Sequence, residues 1–391
     1  MQEAYIVSGL RTAVGKANRG GFRFTRADDL AVKVIQQLIA DLQLDPKLVD
    51  DVVVGNAVPE AEQGLQIGRM IALRAVGMDC AGFVINRYCA SGLEAIAIAT
   101  AKIKSGMADC IIAGGAESMS LVPTVGWKTV PNYEVSKEHA EYYLGMGLTA
   151  EAVAKDFKVS REDQDMFAFQ SHQKAVKAIA EGKFKDEILP VEVEEVYLDE
   201  NKKRKTKKSI VAVDEGPRAD TSLEALAKLK PVFAVNGTVT AGNSSQTSDG
   251  AAFVVVMSER LMKQLNKNPI GRLLGCVSAG VHPRVMGVGP IAAIPKVLTQ
   301  VGLKLDDINL FEINEAFSSQ SLSIVRELRI NTDLLNVNGG AISLGHPLGC
   351  SGAKLSIQIL NELKRRNQRY GIVSACVGGG QGIAGVIERL S

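Results

Sequence analysis

The chain of 391 residues is 46% hydrophobic and 23% charged, the composition of a globular protein with two or three domains and large cores. Its 45 basic and 43 acidic side chains leave a formal charge of +2, which excludes nucleic-acid binding driven by a whole-molecule field. Six cysteines without a CxxC point to free thiols in a reducing compartment, not a disulfide framework or a metal site, and no apolar run approaches the roughly 20 residues of a membrane span.

The N-terminus enters an apolar strand at 4–8 without the regions of a signal peptide, so a cytoplasmic protein is expected. Asp28 and Asp29 open a helix whose Leu30, Val34, Leu38 and Leu42 share one face. A β-branched strand at 51–55 and a helix at 65–76 follow. At Asn86-Arg87-Tyr88-Cys89-Ala90-Ser91-Gly92 an extended segment breaks into a small-residue helix, 90–103. Backbone N–H groups and the positive helix end at such a turn favour a thiolate, so Cys89 reads as a nucleophile of lowered pKa. The competing reading is an inert buried thiol. With a further strand at 110–114, this rhythm implies a mostly parallel sheet with helices on both faces.

Residues 118–246 differ in character. A charged helical stretch runs from 149 to 182, and Ser160 before Glu162 and Asp163 signals the cap of its longer helix. Alternating strands are expected at 188–198 and 209–213. Between them, Lys202-Lys203-Arg204-Lys205-Thr206-Lys207-Lys208 reads as a solvated hairpin tip, with weak attraction for a phosphorylated ligand as the alternative. His139 and His172 fall in charged helical contexts and are expected at the surface. A polar, loop-rich insertion between two cores is where a binding cover is built. The strand 251–257 then rejoins the first core.

The strand–helix rhythm returns with strands at 272–278, 310–313, 335–338, 371–376 and 382–388, and helices at 291–301, 316–328 and 349–365. Asn314 follows a strand end, where the site residues of open α/β sheets gather; it reads as an oxyanion donor, a holder of water or a helix cap. His282 and His346 both precede proline, and His346, in a dense glycine turn opening a helix, is the better acid/base candidate. Cys350 opens that same helix and either lines the site or plays no part. Cys376 stands just before Gly378-Gly379-Gly380, where converging N–H groups suit an oxyanion. Cys80, Cys110 and Cys276 read as structural.

Five strings in order carry a resemblance: Asn86-Arg87-Tyr88-Cys89-Ala90-Ser91-Gly92, Gly114-Gly115-Ala116-Glu117-Ser118-Met119, Asn314-Glu315-Ala316-Phe317, Gly339-Gly340-Ala341 with Gly345-His346-Pro347, and Cys376-Val377-Gly378-Gly379-Gly380. Over nearly its whole length the chain resembles the thiolase family. The resemblance implies a layered α/β fold of two similar five-stranded halves, residues 1–117 completed by 247–267, and residues 268–391. A loop domain, 118–246, would cover coenzyme A. Cys89 is implied as the nucleophile that takes the acyl group. His346 is implied as its activator, sharing one oxyanion hole with a water held by Asn314. Cys376 is implied as the acid/base at the α-carbon, and the N–H groups of Cys89 and Gly378 as the second oxyanion hole. For coenzyme A, the resemblance points to Arg218 near the adenine, Phe233 and Ser245 along the pantetheine, and Met146 and Met286 at the acyl pocket. Coenzyme A and acyl-CoA enter as substrates, with no permanent cofactor and no metal. A homodimer or homotetramer is implied, and some relatives join a β-oxidation multienzyme partner.

Short-chain biosynthetic thiolases carry a histidine beside the loop-domain methionine, where Leu144-Gly145-Met146 has Gly145. Gly380-Gln381-Gly382 and Leu348-Gly349-Cys350 resemble the degradative 3-ketoacyl-CoA thiolases of fatty-acid β-oxidation, which is the expected type. The alternative is an acetyl-CoA acetyltransferase that makes acetoacetyl-CoA. A ketoacyl synthase would pair one cysteine with two histidines, which Cys376 and Asn314 disfavour. A non-catalytic acyl-CoA or lipid carrier would leave Cys89, His346 and Cys376 without a role.

Overall fold

Every residue of the strand Ser248–Ser258 is buried, so both of its faces must be covered. In this computed structural model, which describes residues 2–390, that strand lies inside one continuous sheet path. The first half runs β1 (Ala4–Thr12), α1 (Ala27–Leu42), β2 (Asp51–Gly55), α2 (Ile67–Ala75), β3 (Ala81–Ile85), α3 (Ser91–Lys104) and β4 (Cys110–Ser118). The middle segment holds α4 (Met146–Asp156), α5 (Arg161–Ala180) and a hairpin of β5 (Val191–Leu198) with β6 (Arg204–Val211). There follow β7 (Ser248–Ser258), β8 (Gly271–Gly280), α6 (Gly289–Val301), β9 (Leu310–Ile313), α7 (Ser318–Leu328), α8 (Leu348–Arg366), β10 (Tyr370–Val377) and β11 (Gln381–Arg389).

Strand order is β9-β10-β11-β8-β1-β7-β4-β2-β3. The pairs β2–β3, β2–β4 and β9–β10 are parallel, whereas β4–β7, β1–β7, β8–β11 and β10–β11 are antiparallel. The sheet is therefore mixed, not mostly parallel: β7 and β11 enter from outside the βα rhythm. The expected strand at 335–338 reduces to one bridge between Phe311 and Leu335. Asn336 explains this. It turns left-handed (φ 43°), and its side-chain amide takes the edge of β9, accepting from Ile313 N and donating to Ile313 O, both at 2.9 Å.

Alternation along β7 sets the layers. Phe253, Val255 and Met257 face the core under α1 and α2, while Val254 and Val256 face α3 and α8. On the far side, α6 and α7 cover β9–β11. Helices α3 and α8 thus form a central layer between the two halves of the sheet. They approach closely because both are glycine-bearing: a Cβ on Gly352 would lie 2.3 Å from Leu93 N, and one on Gly92 2.7 Å from Ala353 N.

The middle segment is tied to both halves by a buried ionic group. Arg11 of β1 pairs with Asp214 at 2.7 Å and Glu187 at 2.8 Å, and Glu187 also accepts from Asn361 of α8. Ser160 caps α5, its Oγ accepting from Asp163 N. The basic run begins in the hairpin tip, as expected for Lys202 and Lys203, but from Arg204 it forms β6, which starts five residues earlier than expected and sets Lys208 opposite Glu194 and Lys207 opposite Glu195. Acids on the facing strand offset part of its charge, Lys208 pairing with Glu192 at 3.0 Å.

Candidate active site

Four loop ends converge at the N-terminal ends of the central helices. Cys89 sits in the 3-10 turn Tyr88–Ala90 that leads into α3. The turn is held in an unusual shape: Tyr88, a bulky residue, adopts φ 43°. Its amide donates to Asn86 Oδ1 at 2.8 Å, and Ser91 Oγ donates to its carbonyl at 2.7 Å. Strain of this kind, of order 1–3 kcal/mol, persists where surrounding bonds over-determine the backbone.

His346 is presented by the bend before α8. Gly345 takes φ 98°, and a Cβ there would meet Ser248 Oγ at 2.4 Å, so only glycine fits. The His346 amide donates to Ser248 Oγ at 3.1 Å. Its ring is buried, with Nδ1 2.6 Å from Ser351 Oγ and Nε2 3.2 Å from Asn314 Nδ2. Asn314 itself leaves β9 with its backbone N–H bonded to Ser374 O at 2.9 Å. Two residues along β10 from that carbonyl stands Cys376, fully buried. Gly378 follows, its α-carbon close enough to Tyr88 that an added Cβ would lie 3.4 Å from the ring.

Burial dominates the electrostatics. It pushes the Cys89 thiol up to about 12, against the helix-end effect, and the buried Glu117 carboxylate adds to the rise. The direction is opposite to the lowered pKa expected at such a turn: desolvation of the charge outweighs the backbone hydrogen bond that favours it. Cys376 is pushed up as well, by burial and then by the nearby Cys89. His346 is driven down to about 3 by burial, helped by the positive charge of Lys354. These directions favour two thiols and a neutral imidazole at rest.

Two residues of the middle segment meet the string Asn314-Glu315-Ala316-Phe317. Ser245 N donates to Ala316 O at 2.9 Å, and Phe233 stacks edge-on against Phe317 with centroids 6.0 Å apart. Met146 and Met286 join Phe317 and Cys376 in one apolar cluster. Arg218 has an exposed side chain, and its backbone N–H donates to His172 Nδ1 at 3.1 Å. His172 is accordingly buried, not at the surface: its α5 face packs inward. Cys350 belongs to the core between α3 and α8, while Cys80 and Cys110 lie in the core under α1 and α2.

Two acids that sequence reasoning gave no role prove to be structural clasps. Glu117 accepts from Ala57 N, Gly349 N and Gln63 Nε2, joining the end of β4 to the start of α8. Glu315 accepts from Ser171 Oγ and Asn336 Nδ2. Their signal was present, an acid within each glycine- or asparagine-bearing string without a base nearby. Ser351 carried a weaker one, five residues beyond the histidine.

Comparison with known proteins supplies the remaining evidence. Residues 4–260 match the thiolase N-terminal domain and residues 267–389 the thiolase C-terminal domain. The chain is 51% identical to a 3-ketoacyl-CoA thiolase of Bacillus subtilis, over 99% of this chain and 100% of that one. It is 44% identical to the peroxisomal 3-ketoacyl-CoA thiolase 1 of Arabidopsis thaliana, covering 99% and 88%. The crystal structure of the Bacillus anthracis acetyl-CoA acetyltransferase superposes with a TM-score of 0.89 at 37% identity, covering 100% and 99%.

Proposed function

The chain belongs to the thiolase family and is an acyltransferase, and we propose that it cleaves 3-ketoacyl-CoA by thiolysis in β-oxidation, releasing acetyl-CoA and a shortened acyl-CoA. The observation that carries this reading is the gathering of half-buried Cys89, buried Cys376 and the buried Asn314–His346 pair where these loop ends meet. A carrier protein has no need of two neighbouring thiols.

In the proposed reaction, the Cys89 thiol gives its proton to His346 as its sulfur bonds the 3-keto carbon. The bond to the α-carbon breaks, and the acetyl-CoA enolate takes a proton from Cys376. Coenzyme A then gives its thiol proton to the Cys376 thiolate and attacks the Cys89 thioester. The adduct collapses, and Cys89 recovers its proton from His346. One covalent intermediate thus serves both half-reactions. The raised pKa of Cys376 suits this role, because a weaker acid has a stronger conjugate base for a carbon-bound proton. Asn314 and His346 face one developing oxyanion, and the N–H groups of Cys89 and Gly378 the other. Phe233, Ser245, Met146 and Met286 line the approach for the pantetheine and acyl chain, with Arg218 outermost for the adenine end. In this reading 118–246 is the cover over coenzyme A.

Gly145, at the N-terminus of α4, has no atom within 4 Å of where a Cβ would lie, which leaves space beside Met146 for a longer acyl group. Acetoacetyl-CoA synthesis is the second reading, favoured by the name of the Bacillus anthracis structure. Thiolytic turnover of acetoacetyl-CoA against a long-chain 3-ketoacyl-CoA separates them; activity confined to the four-carbon substrate overturns the degradative reading.

A homodimer, or a pair of dimers, accompanies this proposal. What supports it is β3, an edge strand carrying the half-buried Phe83, Val84 and Ile85. No described helix is long and apolar enough to cross a membrane. We place the enzyme in the cytoplasm; co-purification tests for a β-oxidation multienzyme partner.

A further inference from the structure

The turns that carry Cys89 and Gly378 come from distant parts of the chain, and the side chain of Arg87 bridges them. Arg87 is built into the first turn by its backbone: its N–H donates to Ser91 Oγ at 2.9 Å, and its carbonyl accepts from Ala90 N at 3.0 Å. The side chain then leaves that turn. Nε donates to Glu94 Oε2 in the first turn of α3 at 3.0 Å, and Nη1 donates to Gln381 Oε1 at 3.0 Å. Gln381 opens β11 and stands opposite Val377, the last residue of β10, so this pair closes the turn of Gly378, Gly379 and Gly380.

The second turn has little of its own to hold it. It carries no side chain, and Gly379 and Gly380 take φ 79° and 83°, a region glycine enters as readily as others. Val281 N fixes its far end, donating to Gly380 O at 2.8 Å. The restraint toward Cys89 comes from Arg87. A guanidinium is planar, so bonds from Nε and Nη1 set its orientation as well as its position, which the single nitrogen of a lysine does not. Glu94 balances its charge, and the pair is partly sheltered, with side chains 31% and 23% exposed. The link to Gln381 is therefore a matter of geometry more than of field.

We propose that Arg87 is a positioning residue: through Glu94 and Gln381 it holds the Cys89 and Gly378 turns at the separation where their N–H groups meet one thioester oxygen. The inference rests on the thiolase reading and deepens it, adding the side chain that sets the second oxyanion hole. Its effect falls on the two steps in which a thioester carbon becomes tetrahedral. These are attack of Cys89 on acetyl-CoA and attack of coenzyme A on the acyl-enzyme. In each, the carbonyl π pair moves onto oxygen as the new C–S bond forms and returns as the old C–S bond breaks. A misplaced donor raises the barrier to both.

The test follows single-turnover acetylation of Cys89 by acetyl-CoA, read by intact mass, in Arg87→Ala, Gln381→Ala and the double variant. Each single variant is expected to slow acetylation about ten- to a hundredfold, with the half-saturating acetyl-CoA concentration unchanged. Both substitutions cut one link, so the double variant should be no slower than the slower single one. Alkylation of Cys89 by iodoacetamide develops no oxyanion and should keep its wild-type rate, which a collapsed turn would not allow. Gln381→Ala retains the guanidinium charge. A wild-type acetylation rate in that variant overturns the proposal, even if Arg87→Ala fails to fold. So do losses that multiply in the double variant, or alkylation that slows in step with acetylation. A wild type whose Cys89 is never acetylated overturns the thiolase reading, and the proposal falls with it; unaffected variants beside an active wild type overturn the proposal alone.

Discussion

Asn314 takes its place from Ser374: the amide of the first donates to the carbonyl of the second at 2.9 Å, across the ends of two parallel strands. The side-chain amide of Asn314 and the thiol of Cys376, two residues beyond Ser374, are thereby fixed in one frame. Replacement of Asn314 by alanine removes a donor without disturbing that backbone bond. We expect kcat for thiolysis to fall about 10²- to 10³-fold with little change in thermal stability. A loss below fivefold in steady-state assays would contradict the role given to this amide.

Cys376→Ala should separate the two half-reactions. Cys89 and His346 remain, so acetyl-CoA still acylates the enzyme, but no group protonates or deprotonates the α-carbon. Intact mass should show one acetyl group that Cys89→Ala abolishes, while C–C bond formation and cleavage become undetectable. Recovery of carbon–carbon chemistry in Cys376→Ala would remove this cysteine from the mechanism.

Burial holds the Cys89 thiol at about 12, above an ordinary cysteine. Its thiolate fraction at neutral pH is small and grows about tenfold for each pH unit until that value is approached. Alkylation of Cys89 by iodoacetamide, followed by peptide mass spectrometry, should therefore accelerate steadily from pH 7 to pH 9. A rate already level by pH 7 would mean a preformed thiolate–imidazolium pair.

His172 is held down at about 4 by burial, with Arg218 and Lys16 adding to the effect. In the unfolded chain it titrates near 6.5. Between these values the unfolded state binds a proton that the folded state refuses, so stability is lost as pH falls from about 6.5 toward 4. The contribution approaches about 1.4 kcal/mol per pH unit. His172→Gln, which keeps an acceptor for Arg218 N, should show a shallower decline in Tm over this window. Parallel declines in the two proteins would refute the assignment.

Much of this architecture is legible in the sequence because its elements have strong periodic signals. The helix beginning near Asp28 and the strand ends before Asn314 and after Ser374 lie where the apolar spacing puts them. What eluded the sequence depends on contacts between distant segments. The strand at 335–338 fails because the side chain of Asn336 competes with its backbone for β9, and neither periodicity nor propensity registers that. His172 looks solvated among charged neighbours, yet one face of α5 is covered. Cys89 was legible as a turn residue, but the sign of its pKa shift depends on how much protein lies over the sulfur, and that is a property of the packed whole.

The placement of β1 has a consequence for how the protein is made. This first strand is central in the sheet, and Ala4 is registered against Ser258. On a ribosome adding 5–20 residues per second, β1 waits roughly 12–50 s for β7 to be synthesised. During that interval Ala4, Ile6 and Val7, all buried in the finished protein, have no sheet to join. The nascent first half thus keeps these apolar side chains uncovered until the strand 248–258 emerges.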